Sequence, residues 1–265
     1  MARVEAPAGQ QKVVIQRSGN ICAYPSCKAE LVVSARHADD RDKAVGKVAH
    51  ICAASEGGPR FDPDMSDEER GKASNLIYLC GTHHDAIDSQ LNHHTVEFLR
   101  EAKAKHELAV ARGVPYSMGA VGFEELESVC NYLTINNDET SSPEEIALDI
   151  TLEEKIVLNR LTDVSREMIN AGIAKVTEVR GFIRFVEDTK HPGFGTKLAA
   201  KFKAEYYKAV GQGLEGDEVF SYLCEVSCEN SGPRDTPVLR AAAIATVTYL
   251  FEICEIFEHV EHSAA

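Results

Sequence analysis

Two pairs of soft metal ligands stand out in this 265-residue chain: Cys22 and Cys27, separated by four residues, and Cys80 and His83, separated by two. Tetrahedral zinc favours thiolate and imidazole, two ligands from each of two short turns. Pro25 and Gly81 make both segments turn-forming. Zinc held there would staple a domain of roughly 110 residues whose own core is small. The other reading of the same residues is three buried small hydrophobes and a surface histidine.

A second cluster comprises His50, Asn75, His84 and Asp88. If a helix starts at Gly81, His84 and Asp88 stand at i and i+4 on one face, where imidazole and carboxylate can share a divalent cation. His50 can be neutral near physiological pH and so serve as a general base. Asn75 would then fix the tautomer of that imidazole through a hydrogen bond. Taken singly, these are a core histidine, a turn residue and a solvated helix face. Taken together, their order and spacing favour a site.

The elements that must position these residues can be read from pattern. Leu31–Val33, Val45–Cys52 and Asn75–Cys80 are strand-like, rich in β-branched and apolar residues. A polar loop over 53–74 contains Ser66 and Glu69, a capping-box pair for a short helical turn. Thr95 is an N-cap for a helix expected to run to Arg112, where Gly113 and Pro115 stop it. Residues 113–143 read as a linker with a helix over Phe123–Leu133, and Asn136–Pro143 as a second break. From 144 the pattern is helical. Thr151 and Glu154 form another capping box, and helices are expected over Ile173–Asp188, Lys197–Val210, Val219–Cys228 and Thr236–Val260. Gly172, Pro192-Gly193, Gly211-Gln-Gly213 and Gly232-Pro233 are read as their separators. The expected fold is α+β: a zinc-stapled domain at 1–112, a linker at 113–143 and an acidic helical domain at 144–265.

Charge divides the chain the same way. Residues 1–112 carry 15 basic and 16 acidic side chains; residues 113–265 carry 13 and 26, within a total net charge of −14. Nucleic-acid affinity comes from Lys and Arg neutralising phosphate, so any such site belongs to the first part. Apolar residues at 44% and charged residues at 26% exclude wholesale disorder. No apolar run is long enough for a membrane span, and Met1–Gln11 lacks a signal-peptide core. The chain is therefore expected to be cytoplasmic, where its eight cysteines are better suited to metal binding or burial than to disulfides. Cys224 and Cys228, with no second ligand pair, read as buried. No Walker motif is present.

Gly19-Asn-Ile-Cys-Ala-Tyr-Pro-Ser-Cys27, Val48-Ala-His-Ile51, Gly57-Gly-Pro-Arg60 and Asn75-Leu-Ile-Tyr-Leu-Cys-Gly-Thr-His-His-Asp-Ala-Ile-Asp88 resemble the HNH endonucleases, and among them bacterial defence effectors with the Ala-His-Ile form of the motif. The resemblance covers residues 12–112 and implies a ββα-metal fold. It implies His50 as general base, Asn75 as its orienting residue, His84 as catalytic metal ligand and Asp88 as a further one. It also implies Cys22, Cys27, Cys80 and His83 as a structural zinc set. The implied reaction is Mg²⁺- or Mn²⁺-dependent hydrolysis of DNA with little sequence specificity, leaving 5′-phosphate and 3′-hydroxyl ends. Arg60, or else Arg36 or Arg70, would clamp a neighbouring phosphate. One departure matters: many relatives carry Asp or His before the base, and here that residue is Ala49. A site decayed into a zinc-binding interaction module, or one directed at RNA, is the alternative.

In the second part, Leu152-Glu-Glu-Lys-Ile156 with Asn159, the Lys197–Tyr207 helix, Val219-Phe220 and Tyr249–Phe257 resemble the C-terminal domain of ABC-three-component defence systems. That resemblance implies a module coupling an effector to an ABC-type ATPase. The oligomeric state stays open, homo-oligomer included.

Overall fold

In the computed structural model, the structure describes residues 5–37, 39–134, 150–229, 236–254 and 257, with the backbone alone for 115, 116, 131–134 and 229. The fold is mixed but predominantly helical, its strands only two to four residues long. The chain divides into two compact units, Met1–Ala111 and Arg112–Ala265.

The first unit opens with α1 (Ala8–Arg17), which buries Val13 and Val14 completely and packs on the strands. Its Gln10 accepts from the Ala73 amide at 2.5 Å, tying the helix to the segment that leads into the last strand. β1 (Val32–Val33) pairs antiparallel with β2 (Lys43–Ala44). β3 (Lys47–His50) pairs antiparallel with β4 (Leu76–Leu79), placing Lys47 opposite Leu79 and His50 opposite Leu76. All four β4 residues are buried, as expected of a strand covered on both faces.

The strand expected over Val45–Cys52 is shorter at both ends. Gly46 precedes it because a Cβ there would stand 2.2 Å from the Tyr78 ring. After His50 one more backbone bond forms, from the Ile51 amide to the Asn75 carbonyl at 2.8 Å, and then the Asn75 side chain takes both the N–H and the C=O of Cys52. The Ser66–Glu69 capping box forms and starts α2 (Asp67–Gly71). α3 (Gly81–Ser89) follows β4 after a single residue and packs on both β3 and β4. Thr95 caps α4 (Val96–Met118) by accepting from the Phe98 amide at 3.2 Å.

α4 does not end at Gly113 and Pro115. It continues to Met118, with Ala111 and Met118 buried, so burial prevails over the low helix propensity of those two residues.

In the second unit, α5 (Phe123–Thr134), α6 (Leu152–Leu158), α7 (Asp163–Ile173), α8 (Val176–Thr189), α9 (Phe194–Gly211), α10 (Asp217–Glu229) and α11 (Pro237–Ile253) form a bundle. α11 is apolar nearly all round and packs against α5, α7, α8 and α10, the position such a helix must take. α5 is part of this core, packing on α9 and α11. Gly172 lies inside α7 and faces Thr248 of α11, where it permits close approach and does not separate two helices. The Thr151–Glu154 capping box starts α6. Lys155 of that helix and Asn159, which caps its C-terminus, then donate to carbonyls late in the chain: Lys155 Nζ to Glu252 at 2.7 Å and Asn159 Nδ2 to Phe257 at 2.7 Å. Cys224 and Cys228 are buried in α10 as expected. The breaks expected at Asn136–Pro143 and Gly232-Pro233, and the end of the last helix toward Val260, lie outside the described residues.

Candidate metal centre and catalytic residues

The Cys22–Cys27 loop is a tight turn in which the Cys27 amide donates to the Tyr24 carbonyl at 3.0 Å and Ser26 takes a left-handed conformation, φ 66°. The Ala23 amide donates to the Tyr78 carbonyl at 2.9 Å, fastening the loop to β4. Two residues after β4, α3 begins; Cys80 precedes its first turn and His83 lies within it. The ligand atoms of Cys22, Cys27, Cys80 and His83 consequently lie within 4.8 Å of one another.

The spacing is close to that of a tetrahedral ion. With bonds near 2.3 Å to sulfur and 2.0–2.1 Å to nitrogen, ligand edges of about 3.6–3.8 Å are required. His83 Nδ1 is 3.6 Å from Cys22 Sγ and 3.2 Å from Cys80 Sγ. Burial pushes the Cys22 thiol up to about 12, against amide donors at Cys80 and Tyr24 that lower it. A dication is the group that would offset the cost of thiolate at such a position. This Cys₃His group is able to hold zinc, and among the described residues it is the one cluster of three or more metal-ligating groups.

Around it lies a shell that residue spacing does not reveal. The Tyr24 ring stacks on His83, with centroids 3.9 Å apart and planes at 8°. The Tyr24 hydroxyl is 3.1 Å from His94 Nε2, and His94 Nδ1 is 3.1 Å from the Gln90 carbonyl. Because a carbonyl can only accept, Nδ1 carries the proton and Nε2 accepts from the tyrosine. Burial lowers the pKa of His94, which suits this neutral form.

The residues expected to act on substrate are arranged differently from one another. His50 is half-buried at the end of β3. His84 lies in the first turn of α3, its Nδ1 3.3 Å from Asp85 Oδ1, and that same oxygen is 3.6 Å from Lys47 Nζ on β3. Asn75 does not fix an imidazole tautomer. Its Oδ1 accepts from the Cys52 amide at 2.8 Å, and its Nδ2 donates to the Cys52 and Arg70 carbonyls at 2.9 and 3.0 Å. It orients the chain immediately after His50.

Asp88, expected beside His84 on a cation, is drawn to Arg60, whose Nη2 donates to its Oδ1 at 2.7 Å. The other two donor positions of Arg60 reach the Ile51 carbonyl at 2.8 Å and the Ile87 carbonyl at 2.5 Å. Arg60 itself adopts φ 56°, and its side chain is 6% exposed. The phosphate clamp expected of it is therefore replaced by a pin between the 51–60 loop and α3. Arg70 is likewise turned inward, donating to the Ala53, Asp62 and Met65 carbonyls beneath the Phe61 ring. Guanidinium donors satisfied by buried carbonyls leave no trace in residue type.

Among the described residues no helix is long and apolar enough to cross a membrane. Residues 124–258, just over half of the chain, match the family of C-terminal domain 10 of the ABC-three component systems, and the chain belongs to that family. No curated protein matches it.

Proposed function

We propose that the first unit is a metal-dependent endonuclease of the HNH type, and that the helical unit joins it to the ABC-type ATPase of an antiphage ABC-three-component system. The observation that carries this reading is the local frame of β3, β4 and α3. An antiparallel strand pair runs directly into a helix, with His50 at the end of the first strand, His84 in the first helical turn and the Cys₃His group at the junction. This is the order and placement a ββα-metal nuclease needs. The zinc at Cys22, Cys27, Cys80 and His83 is structural in this reading.

His50 takes the proton of the water that attacks phosphorus in line with the 3′ oxygen, whose bond to phosphorus breaks. His84, with its Nδ1–H turned to Asp85, would hold Mg²⁺ or Mn²⁺ through Nε2, and Asn75 keeps the backbone beyond His50 fixed. A cation bound there would neutralise charge on the phosphoryl and leaving oxygens. Cutting with little sequence specificity belongs to the same reading. The acidic helical unit repels nucleic acid and binds protein instead.

A second reading is favoured by Ala49, buried where many HNH proteins carry a metal ligand, and by the pairing of Asp88 with Arg60. The first unit would then be a zinc-stapled interaction module without catalysis. Incubating supercoiled plasmid and single-stranded RNA with the full chain in Mg²⁺, Mn²⁺ or EDTA separates the readings. Cation-dependent plasmid nicking supports the nuclease, cleavage of RNA alone redirects its substrate, and inert mixtures throughout favour the module.

A further inference from the structure

The geometry points to Tyr24 and His94 as a brace that holds the His83 ring in the orientation a metal ion requires. The inference rests on the zinc reading of the Cys₃His group. His83 turns Nδ1 toward the thiols of Cys22 and Cys80, and a tilt of the ring out of its plane would carry that nitrogen away from them. Flat stacking at 3.9 Å and 8° gives the imidazole one preferred plane, and the partner in the stack comes from the loop carrying the other ligand pair.

Tyr24 is itself immobilised. Its carbonyl accepts from the Cys27 amide, and its hydroxyl donates to Nε2 of His94, a side chain with 1% of its surface exposed. His94 is locked as the acceptor by its own bond to the Gln90 carbonyl, and it packs edge-on against Phe98 in the first turn of α4. The Cys22–Cys27 loop, backed in turn by the segment before α4, thus supports one imidazole at the start of α3. Groups behind a metal-binding histidine set the orientation of its ring, and their loss typically costs 10- to 100-fold in affinity. Tyr24 and His94 are positioning residues for the centre, not ligands.

The test uses the full-length protein, its zinc content measured by elemental analysis and its zinc release followed with a chromogenic chelator in excess. Wild type is expected to carry one zinc. Tyr24→Ala, which removes the stack, is expected to release it about tenfold faster. Tyr24→Phe keeps the ring and deletes the hydroxyl, and is expected to fall between the two. His94→Leu deletes the same hydrogen bond and should match Tyr24→Phe, with the double variant no faster than either single one. Cobalt substitution gives a second readout: the visible ligand-field bands should shift in Tyr24→Ala and stay close to wild type in Tyr24→Phe. Wild-type release rates in both tyrosine variants would overturn the brace while leaving the centre intact. Wild-type protein without zinc would overturn the metal reading itself, and the brace with it.

Discussion

Asn75 grips Cys52 from both sides, accepting from its amide at 2.8 Å and donating to its carbonyl at 2.9 Å. The grip ends the β3–β4 ladder one residue after His50 and sets the course of the chain into the 53–66 loop. An asparagine amide reproduces the donor and acceptor of a peptide group, so it can stand in for the next rung of a sheet while allowing the strand to turn away.

Removing it should therefore act through stability as well as activity. Asn75→Ala strands two buried Cys52 groups and is expected to cost about 3 kcal/mol. Urea denaturation should show a lowered midpoint, with nicking reduced in parallel. An unchanged midpoint accompanied by lost nicking would instead mean that Asn75 acts on substrate.

Arg60 invites the opposite experiment. Its donors are spent on Ile51, Ile87 and Asp88, so Arg60→Ala is expected to destabilise the first unit by about 2 kcal/mol or more. At temperatures where the variant stays folded, its DNA affinity, read by fluorescence anisotropy, should change less than twofold. A large loss of affinity with unchanged stability would restore Arg60 as a phosphate contact.

Two glycines in the helical unit separate close packing from helix propensity. A methyl at Gly172 would stand 2.3 Å from Thr248 Oγ1 and 3.2 Å from the Ile244 carbonyl. Gly172→Ala should push α7 from α11 and cost about 1–3 kcal/mol. Gly181, inside α8, meets nothing within 4 Å, so Gly181→Ala should stabilise by up to about 1 kcal/mol. Thermal melts of the two variants should move in opposite directions.

The legible parts of this molecule were those whose logic is local. Cys22, Cys27, Cys80 and His83 declare themselves by short spacings within turns, and the structure brings their ligand atoms together. The Ser66–Glu69 and Thr151–Glu154 boxes are three-residue signals, and both form. What escaped sequence reading depends on partners far away in the chain. Tyr24 meets His94 across 70 positions, and Arg60 and Arg70 meet backbone carbonyls, which every residue type carries. The passage of α4 through Gly113 and Pro115 is of the same kind, since burial of the flanking Ala111 and Met118 is a tertiary fact. Lys155 gave no sign that it caps α11 from a helix nearly a hundred residues earlier.

In the proposed hydrolysis, His50 takes the proton of the attacking water. Single-turnover cleavage of supercoiled plasmid in Mg²⁺ or Mn²⁺ by wild type and His50→Ala, at matched zinc content and matched melting temperature, tests it most directly. A fall of at least about 10²-fold is expected in the variant, the scale of a lost general base. Cleavage by His50→Ala within a few-fold of the wild-type rate would contradict it.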